Sequence, residues 1–144
     1  MRIVGLDVGQ RRIGVAVSDA SGTLARPVGV VQAKALDAGS VDRVADEIAR
    51  LAAEDDAIER IVIGLPRRLD GTPNDMTAPV EQFAARLHLR TQLPVVLQDE
   101  RLSSVEAESL LALRERDWRV RKQKIDAAAA AIILQDYLDT QSHP

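Results

Sequence analysis

The chain opens with two β-segments separated by only a few residues, and this start limits the possible folds more than any other feature. Residues 2–8 are rich in β-forming side chains, and in residues 13–17 Ile and Val alternate with Gly and Ala. The connection between them is short enough for a hairpin. A third strand is predicted over residues 27–32. A chain that begins with three successive strands differs from proteins in which strands and helices strictly alternate.

The rest of the chain alternates between helical and strand patterns. Ser40 is a predicted N-cap, and residues 61–63 form an apolar run typical of a strand buried on both faces. The further predicted elements are a helix over 41–54, a strand over 58–65, a helix over 77–91, a strand over 94–98, a helix over 103–114 that opens with a capping box, and a helix over 123–139. We therefore predict an α/β fold with an open mixed sheet covered by helices, as a single domain over residues 1–140 with a frayed tail at 141–144.

Composition excludes several classes of protein. The 144 residues include no cysteine, so disulfides, thiolate zinc sites and cysteine nucleophiles are excluded. We find neither an apolar run long enough to span a membrane nor a signal peptide, and we expect a cytoplasmic protein. With one Trp, one Tyr and one Phe, a protein that stacks successive bases on aromatic side chains is disfavoured.

Charge is distributed unevenly along the chain. The net charge of −3 argues mildly against a nucleic-acid partner. Residues 34–59 are acidic, whereas residues 114–124 are strongly basic and include Arg119, Arg121 and Lys122. This basic segment, predicted as a loop, is either a phosphate-binding surface or a solvated helix end, where positive charge is favourable in any case.

Acidic residues lie at the ends of two predicted strands and at the start of the last predicted helix. Asp7 ends the first strand, Asp99 and Glu100 follow the fifth, and Asp126 is predicted in the first turn of the last helix. Ligands collect at the carboxyl ends of strands in α/β sheets, and strand alternation allows only one of Asp99 and Glu100 to face a given site. Converging carboxylates repel one another unless a cation lies between them, and all-oxygen ligation selects Mg²⁺ or Mn²⁺. Two such ions can promote phosphodiester hydrolysis.

Each acid also has a structural explanation. Asp7 would serve equally in an Asx turn, and Asp126 would interact favourably with the helix macrodipole. Asp99, Glu100 and Arg101 would equally form a solvated turn. Asp70 and Gly71 are predicted to form a turn. His88 has no partner at metal-ligand spacing and is assigned no role.

Four segments together resemble the YqgF/RuvX family of RNase H-like proteins. They are GLDVG and RIGVA (5–9 and 12–16), IGLP with DG (63–66 and 70–71), DERL (99–102), and KID (124–126) with Ala128, Ala129, Ile133 and Leu134. Two departures are visible: Ser103-Ser104 stand where threonines are usual, and residues 117–123 are short and very basic. The latter leaves substrate preference open.

The resemblance implies an RNase H-like, five-stranded mixed sheet with the first three strands antiparallel and helices on both faces. It also implies that Asp7, Glu100 and Asp126 are the catalytic acids and the ligands of Mg²⁺ or Mn²⁺. By the same resemblance, Arg12 and Arg101 lie near this site, and we expect both arginines to contact phosphate.

The resemblance implies a nuclease and leaves its substrate open. Family members are described as nucleases that mature the 5′ end of pre-16S ribosomal RNA, which implies pre-rRNA and ribosomal precursor particles as partners. They are also described as Holliday junction resolvases, which act on branched DNA and would be two-fold dimers. We favour the ribosomal role. Two other classes remain open: a non-catalytic nucleic-acid-binding module, and a nucleotide-binding domain resembling the actin-like ATPases and sugar kinases.

Overall fold

The computed structural model describes residues 1–54, 56–100 and 118–142, and in the last range it describes side chains for residues 125–141. The elements in chain order are β1 (Arg2–Val8), β2 (Arg12–Ser18), β3 (Ala25–Gln32), α1 (Ala38–Glu54), β4 (Ile58–Pro66), α2 (Thr77–Thr91), β5 (Val95–Glu100) and α3 (Trp118–Ser142). The helix predicted over residues 103–114 lies outside the described residues.

The strands form one sheet in the order β3-β2-β1-β4-β5. β2 pairs antiparallel with both β1 and β3, whereas β4 pairs parallel with β1 and with β5. The predicted five-stranded mixed sheet is thereby confirmed. β1, β4 and β5 all finish at one end of the sheet, which we call the carboxyl end. β2 starts and β3 finishes there too, because Arg12 pairs with Gln32.

Helices cover both faces of the sheet, as predicted. On one face, Leu6, Val15 and Ile63 belong to a large apolar core under α1 and α2. On the other, Ile3, Ala16 and Val62 pack against α3, which contributes Ala130, Ile133, Leu134, Tyr137 and Leu138. The two cores use alternate residues of the same strands, because successive side chains of a strand point to opposite faces.

α3 lies unusually close to the sheet because glycines on β1 and β2 face it. A Cβ atom built on Gly14 would lie 2.0 Å from the carbonyl oxygen of Asp126, and one built on Gly5 would lie 2.7 Å from Cβ of Leu134. Glycine within a strand often marks such a close approach of another backbone. These contacts fix the position of α3, and of Asp126 on it, relative to β1 and β2.

The start of α1 differs from the prediction. α1 begins at Ala38 rather than residue 41, and its cap is Asp37 rather than Ser40. Asp37 Oδ1 accepts the N–H of Ser40 at 3.1 Å, and Ser40 Oγ accepts the N–H of Asp37 at 3.0 Å. Ser40 is therefore the N3 residue of a reciprocal capping box, and not the N-cap that was predicted.

Two further boundaries move. β5 continues to Glu100 instead of residue 98, so both acids of the Asp99-Glu100 pair lie within the strand. α3 runs from Trp118 to Ser142 instead of 123–139, so the segment predicted as a basic loop is helical from Trp118 onward. No glycine or proline interrupts residues 118–126, and Arg and Lys are good helix formers. Within the described residues, no helix is long and apolar enough to cross a membrane.

The contact at Gly14 yields a stability prediction. Gly14→Ala should lower the free energy of unfolding by about 1–3 kcal/mol, because the added methyl group must displace the α3 backbone. Gly29→Ala is the matched control on β3, since a Cβ there meets nothing within 4 Å, and it should stay within about 0.5 kcal/mol of wild type. Urea denaturation measures both, and equal stability of the two variants would contradict the close packing of α3 at Gly14.

Candidate active site

Asp7 lies at the carboxyl end of β1, on the sheet face covered by α3. It shares that face with Gly5, two residues earlier on the same strand. Its cross-strand partner on β2 is Gly14, the residue against which the α3 backbone packs. The close packing of α3 therefore brings Asp126 beside Asp7.

Glu100 reaches Asp7 across a gap in the intervening strand. β4 separates β1 from β5, and an ordinary side chain on β4 would keep the two carboxyl groups apart. Gly64 has none, and a Cβ built on it would lie 2.6 Å from Oε2 of Glu100. The backbone of Glu100 pairs with Pro66, two residues further along β4, so its side chain reaches back over Gly64 towards Asp7.

Asp7 and Glu100 are joined by a hydrogen bond between their carboxyl groups, which requires a proton on one of them. The pKa of Asp7 is raised from 3.8 to about 8. Burial of the charged form is the largest cause, followed by the negative charges of Glu100 and Asp126 and by the hydrogen bond to Glu100. The pair therefore holds a proton at neutral pH, at a position where a cation would relieve the same repulsion.

Asp126 is held by an arginine at the edge of this pair. Its Oδ2 lies 3.0 Å from Nε of Arg12, in an ion pair whose side chains are about one-quarter exposed. Asp126 is the ninth residue of α3, not part of the first turn as predicted, so the helix macrodipole does not explain it. Its negative charge nevertheless contributes to the raised pKa of Asp7.

Two of the three expected ligands, Asp7 and Glu100, are positioned to bind a hard divalent cation. Asp7 and Glu100 offer adjacent carboxylate oxygens, the donors that Mg²⁺ and Mn²⁺ prefer. Asp126 is engaged with Arg12, and among the described residues no group of three His, Cys, Asp or Glu side chains is arranged to hold a metal.

The remaining acids and the histidine are explained by local structure. Asp99 is exposed, and alternation along β5 places it on the opposite face from Glu100, so only one of the two acids faces the site, as predicted. Asp70 Oδ1 accepts hydrogen bonds from the N–H and hydroxyl of Thr72, in the turn expected there. Nδ1 of His88 lies 2.7 Å from the carbonyl oxygen of Leu93.

Of the five residues expected to contact nucleic acid, Arg12 is the one whose side chain the structure describes. It lies at the site, paired with Asp126. Arg101 is outside the described residues, and Arg119, Arg121 and Lys122 lie on α3 at positions where only the backbone is described.

Gly64 belongs to the IGLP motif, but its effect on the site was not predicted from the sequence. It is the residue whose missing side chain lets Asp7 and Glu100 meet. A glycine inside an otherwise apolar strand is the signal that would have found it, because such a glycine marks a bulge or the close approach of another group.

Comparison with known proteins decides the family. A model of the RuvX family, described as Holliday junction resolvase, matches residues 1–140. The chain belongs to the RuvX family. Two of its relatives, both named "Putative pre-16S rRNA nuclease", come from Pelotomaculum thermopropionicum and Chloroflexus aggregans. The first is 38% identical over all of this chain and 90% of its own, and the second is 41% identical over 99% of this chain and 96% of its own.

Solved structures similar to this RuvX-family chain include both a complex with a Holliday junction and a kinase. RuvC of Thermus thermophilus, in complex with a Holliday junction substrate, aligns with a TM-score of 0.52 at 16% identity, over 99% of this chain and 96% of its own. At that identity the match concerns the fold, which is RNase H-like. A hexokinase of the ROK family from the same organism aligns with a TM-score of 0.51 at 27% identity, over 80% of this chain but only 38% of the kinase.

The raised pKa of Asp7 predicts how stability depends on pH. The folded state keeps its proton up to about pH 8, whereas an unfolded chain loses it near 3.8, so this group's contribution is complete below pH 3.8 and declines as the pH rises to about 8. Asp7→Asn should remove this decline and gain stability relative to wild type towards pH 8. The measurement is urea denaturation in EDTA from pH 5 to pH 9.

The matched control for this experiment is Asp46→Asn, on the exposed side of α1 and on the other face of the sheet. It should follow the wild-type curve at every pH. If Asp7→Asn also runs parallel to wild type, Asp7 does not carry the raised pKa.

Proposed function

We propose that this chain is a divalent-metal-dependent nuclease that hydrolyses phosphodiester bonds and processes the 5′ end of pre-16S ribosomal RNA. The observation that carries the proposal is the convergence of the carboxyl groups of Asp7 and Glu100 over Gly64, with Asp126 beside them, at the carboxyl end of the sheet. The names of the RuvX-family relatives support the ribosomal substrate. This role implies a cytoplasmic protein that meets ribosomal precursor particles.

Asp7, Glu100 and Asp126 would hold Mg²⁺ or Mn²⁺ in this proposal, as a site of the two-metal type. Bound metal supplies polarisation of a phosphoryl oxygen and a water molecule of lowered pKa. The protein supplies the crowded carboxylates, whose mutual repulsion favours a cation over a single shared proton. It also supplies the sheet and α3, which hold the three acids in place before substrate binds.

Arg12 has two roles in the proposed site. Its ion pair orients the side chain of Asp126. Its planar guanidinium also carries several N–H donors, of which Nε faces Asp126, and this group is suited to contacting a phosphate oxygen. Arg12 therefore places positive charge beside the acids, where a phosphodiester must approach.

A second candidate, resolution of Holliday junctions, is supported by the description of the matching family model. The catalytic chemistry would be the same, but the substrate would be branched DNA and the enzyme a symmetric dimer that cuts two strands. The kinase-like alternative would need saturable nucleotide binding by this chain. The binding-module alternative would need nucleic-acid binding without cleavage.

A side-by-side cleavage assay tests the proposal. Wild type is given a pre-16S RNA fragment containing the mature 5′ end and, separately, a four-way DNA junction, each with Mg²⁺ or Mn²⁺. We expect cleavage of the RNA, reduced by more than about 100-fold in Asp7→Asn, Glu100→Gln and Asp126→Asn, because loss of even an outer-shell partner of a metal ligand can cost that much. Asp46→Asn should cleave as wild type does.

Each other outcome has a defined meaning. Paired symmetric cuts in the junction, without RNA cleavage, would replace the ribosomal role by the resolvase. Full activity in any one of the three variants would remove that residue from the catalytic set. Cleavage that persists in EDTA would contradict metal dependence.

A further inference from the structure

A group of exposed cations lies around the carboxyl end of the sheet, outside the acidic site. Arg11 is in the turn between β1 and β2, Lys34 follows β3, and Arg67 and Arg68 follow β4. We call these four residues the loop basic surface. They come from three separate connections, and the fold alone brings them to the same end of the molecule as Asp7 and Glu100.

Two of these cations line a common cavity. A pocket of about 360 Å³ is bordered by Gln10, Arg11 and Lys34 on one side and by Met76 and Pro79, at the start of α2, on the other. The cavity walls are held in place, because the N–H of Ala33 donates to the carbonyl oxygen of Arg11 at 2.9 Å. This hydrogen bond ties the turn after β1 to the segment after β3 and keeps the two cations close to each other.

The charges of the loop basic surface are not neutralised within the described part of the chain. There, ion pairs form at the N-terminal amine, Arg12, Arg50 and Arg90, but at none of the four residues of this surface. Asp70, in the same connection as Arg67 and Arg68, bonds to Thr72. Four cations that form no ion pair within residues 1–54, 56–100 and 125–141 create a local positive field on one end of a chain with net charge −3, and such a field attracts anions.

The loop basic surface adjoins the acids through the backbone. The N–H of Arg67 donates to the carbonyl oxygen of Glu100 at 3.3 Å, and Arg11 lies in the turn closed by the hydrogen bond from Gly9 to Arg12. A polyanion lying across the carboxyl end of the sheet would contact the acids and these cations together. The phosphate of the cleaved bond would contact the acids, and the neighbouring phosphates would contact the cations.

We propose that the loop basic surface binds backbone phosphates of the nucleic acid next to the bond that is cleaved. Arg11 and Lys34 bind one stretch of this backbone at their shared cavity. This proposal rests on the nuclease function proposed above. Because lysine and arginine contact phosphates without reading bases, binding at this surface should be independent of sequence and should occur with both RNA and DNA.

The test is the salt dependence of binding by the double variant Arg11→Ala/Lys34→Ala, measured in EDTA so that no cleavage occurs. Fluorescence anisotropy with the labelled pre-16S RNA fragment and with the four-way DNA junction gives the affinity at several salt concentrations. Each lost phosphate contact lowers the slope of log K against log salt by about 1, so we expect a decrease of about 2 and weaker binding of whichever nucleic acid wild type binds.

Two controls separate this effect from a general loss of charge or fold. Arg26→Ala/Arg86→Ala removes the same charge from two exposed arginines, on β3 and α2, away from the carboxyl end, and should leave the slope at its wild-type value. Arg11→Lys/Lys34→Arg keeps both charges at the cavity, and its slope of log K against log salt should equal that of wild type.

The outcomes distinguish this proposal from the proposed function. If wild type cleaves but Arg11→Ala/Lys34→Ala keeps the wild-type slope on both probes, the loop basic surface is not a phosphate site and the nuclease function stands. If both double alanine variants lose slope equally, binding depends on overall charge and the proposal is overturned. If wild type binds neither probe in EDTA, the loop basic surface does not hold backbone phosphates, and the cleavage assay with Mg²⁺ or Mn²⁺ decides the nuclease function separately.

Discussion

The absence of a side chain at Gly64 is the constraint on which the site depends. Two acids on strands that are not neighbours meet only because the strand between them leaves space for the carboxylate of Glu100. Gly14 plays the equivalent part on β2, where it admits the α3 backbone and brings Asp126 close to Asp7. The sheet therefore provides room at two positions: the carboxylate of Glu100 occupies one, and the α3 backbone occupies the other.

Most of the sheet could be predicted because its signals are local. The alternation in β1 and β2, the short turn between them and the apolar run in β4 are properties of adjacent residues. The family motifs added the strand directions and singled out Asp7, Glu100 and Asp126, and the structure brings these three acids to one end of the sheet. Strand alternation alone correctly limited the site to one of Asp99 and Glu100.

What could not be predicted depends on contacts between distant segments. Nothing near Asp126 in sequence shows that its side chain pairs with Arg12, 114 residues earlier. The early start of α3 was missed because a cluster of positive charges was interpreted as a loop, although its residues favour helix. The loop basic surface is likewise invisible in sequence, since its four residues lie in three connections that only the folded sheet brings together.

Mn²⁺ binding measured by isothermal titration calorimetry at pH 7 tests most directly whether Asp7 and Glu100 form the proposed divalent-cation site. The structure predicts that wild type and Asp46→Asn bind Mn²⁺ with the same affinity, and that Asp7→Asn and Glu100→Gln each bind at least about 10-fold more weakly. Equal Mn²⁺ affinity in all four proteins would contradict the proposed site.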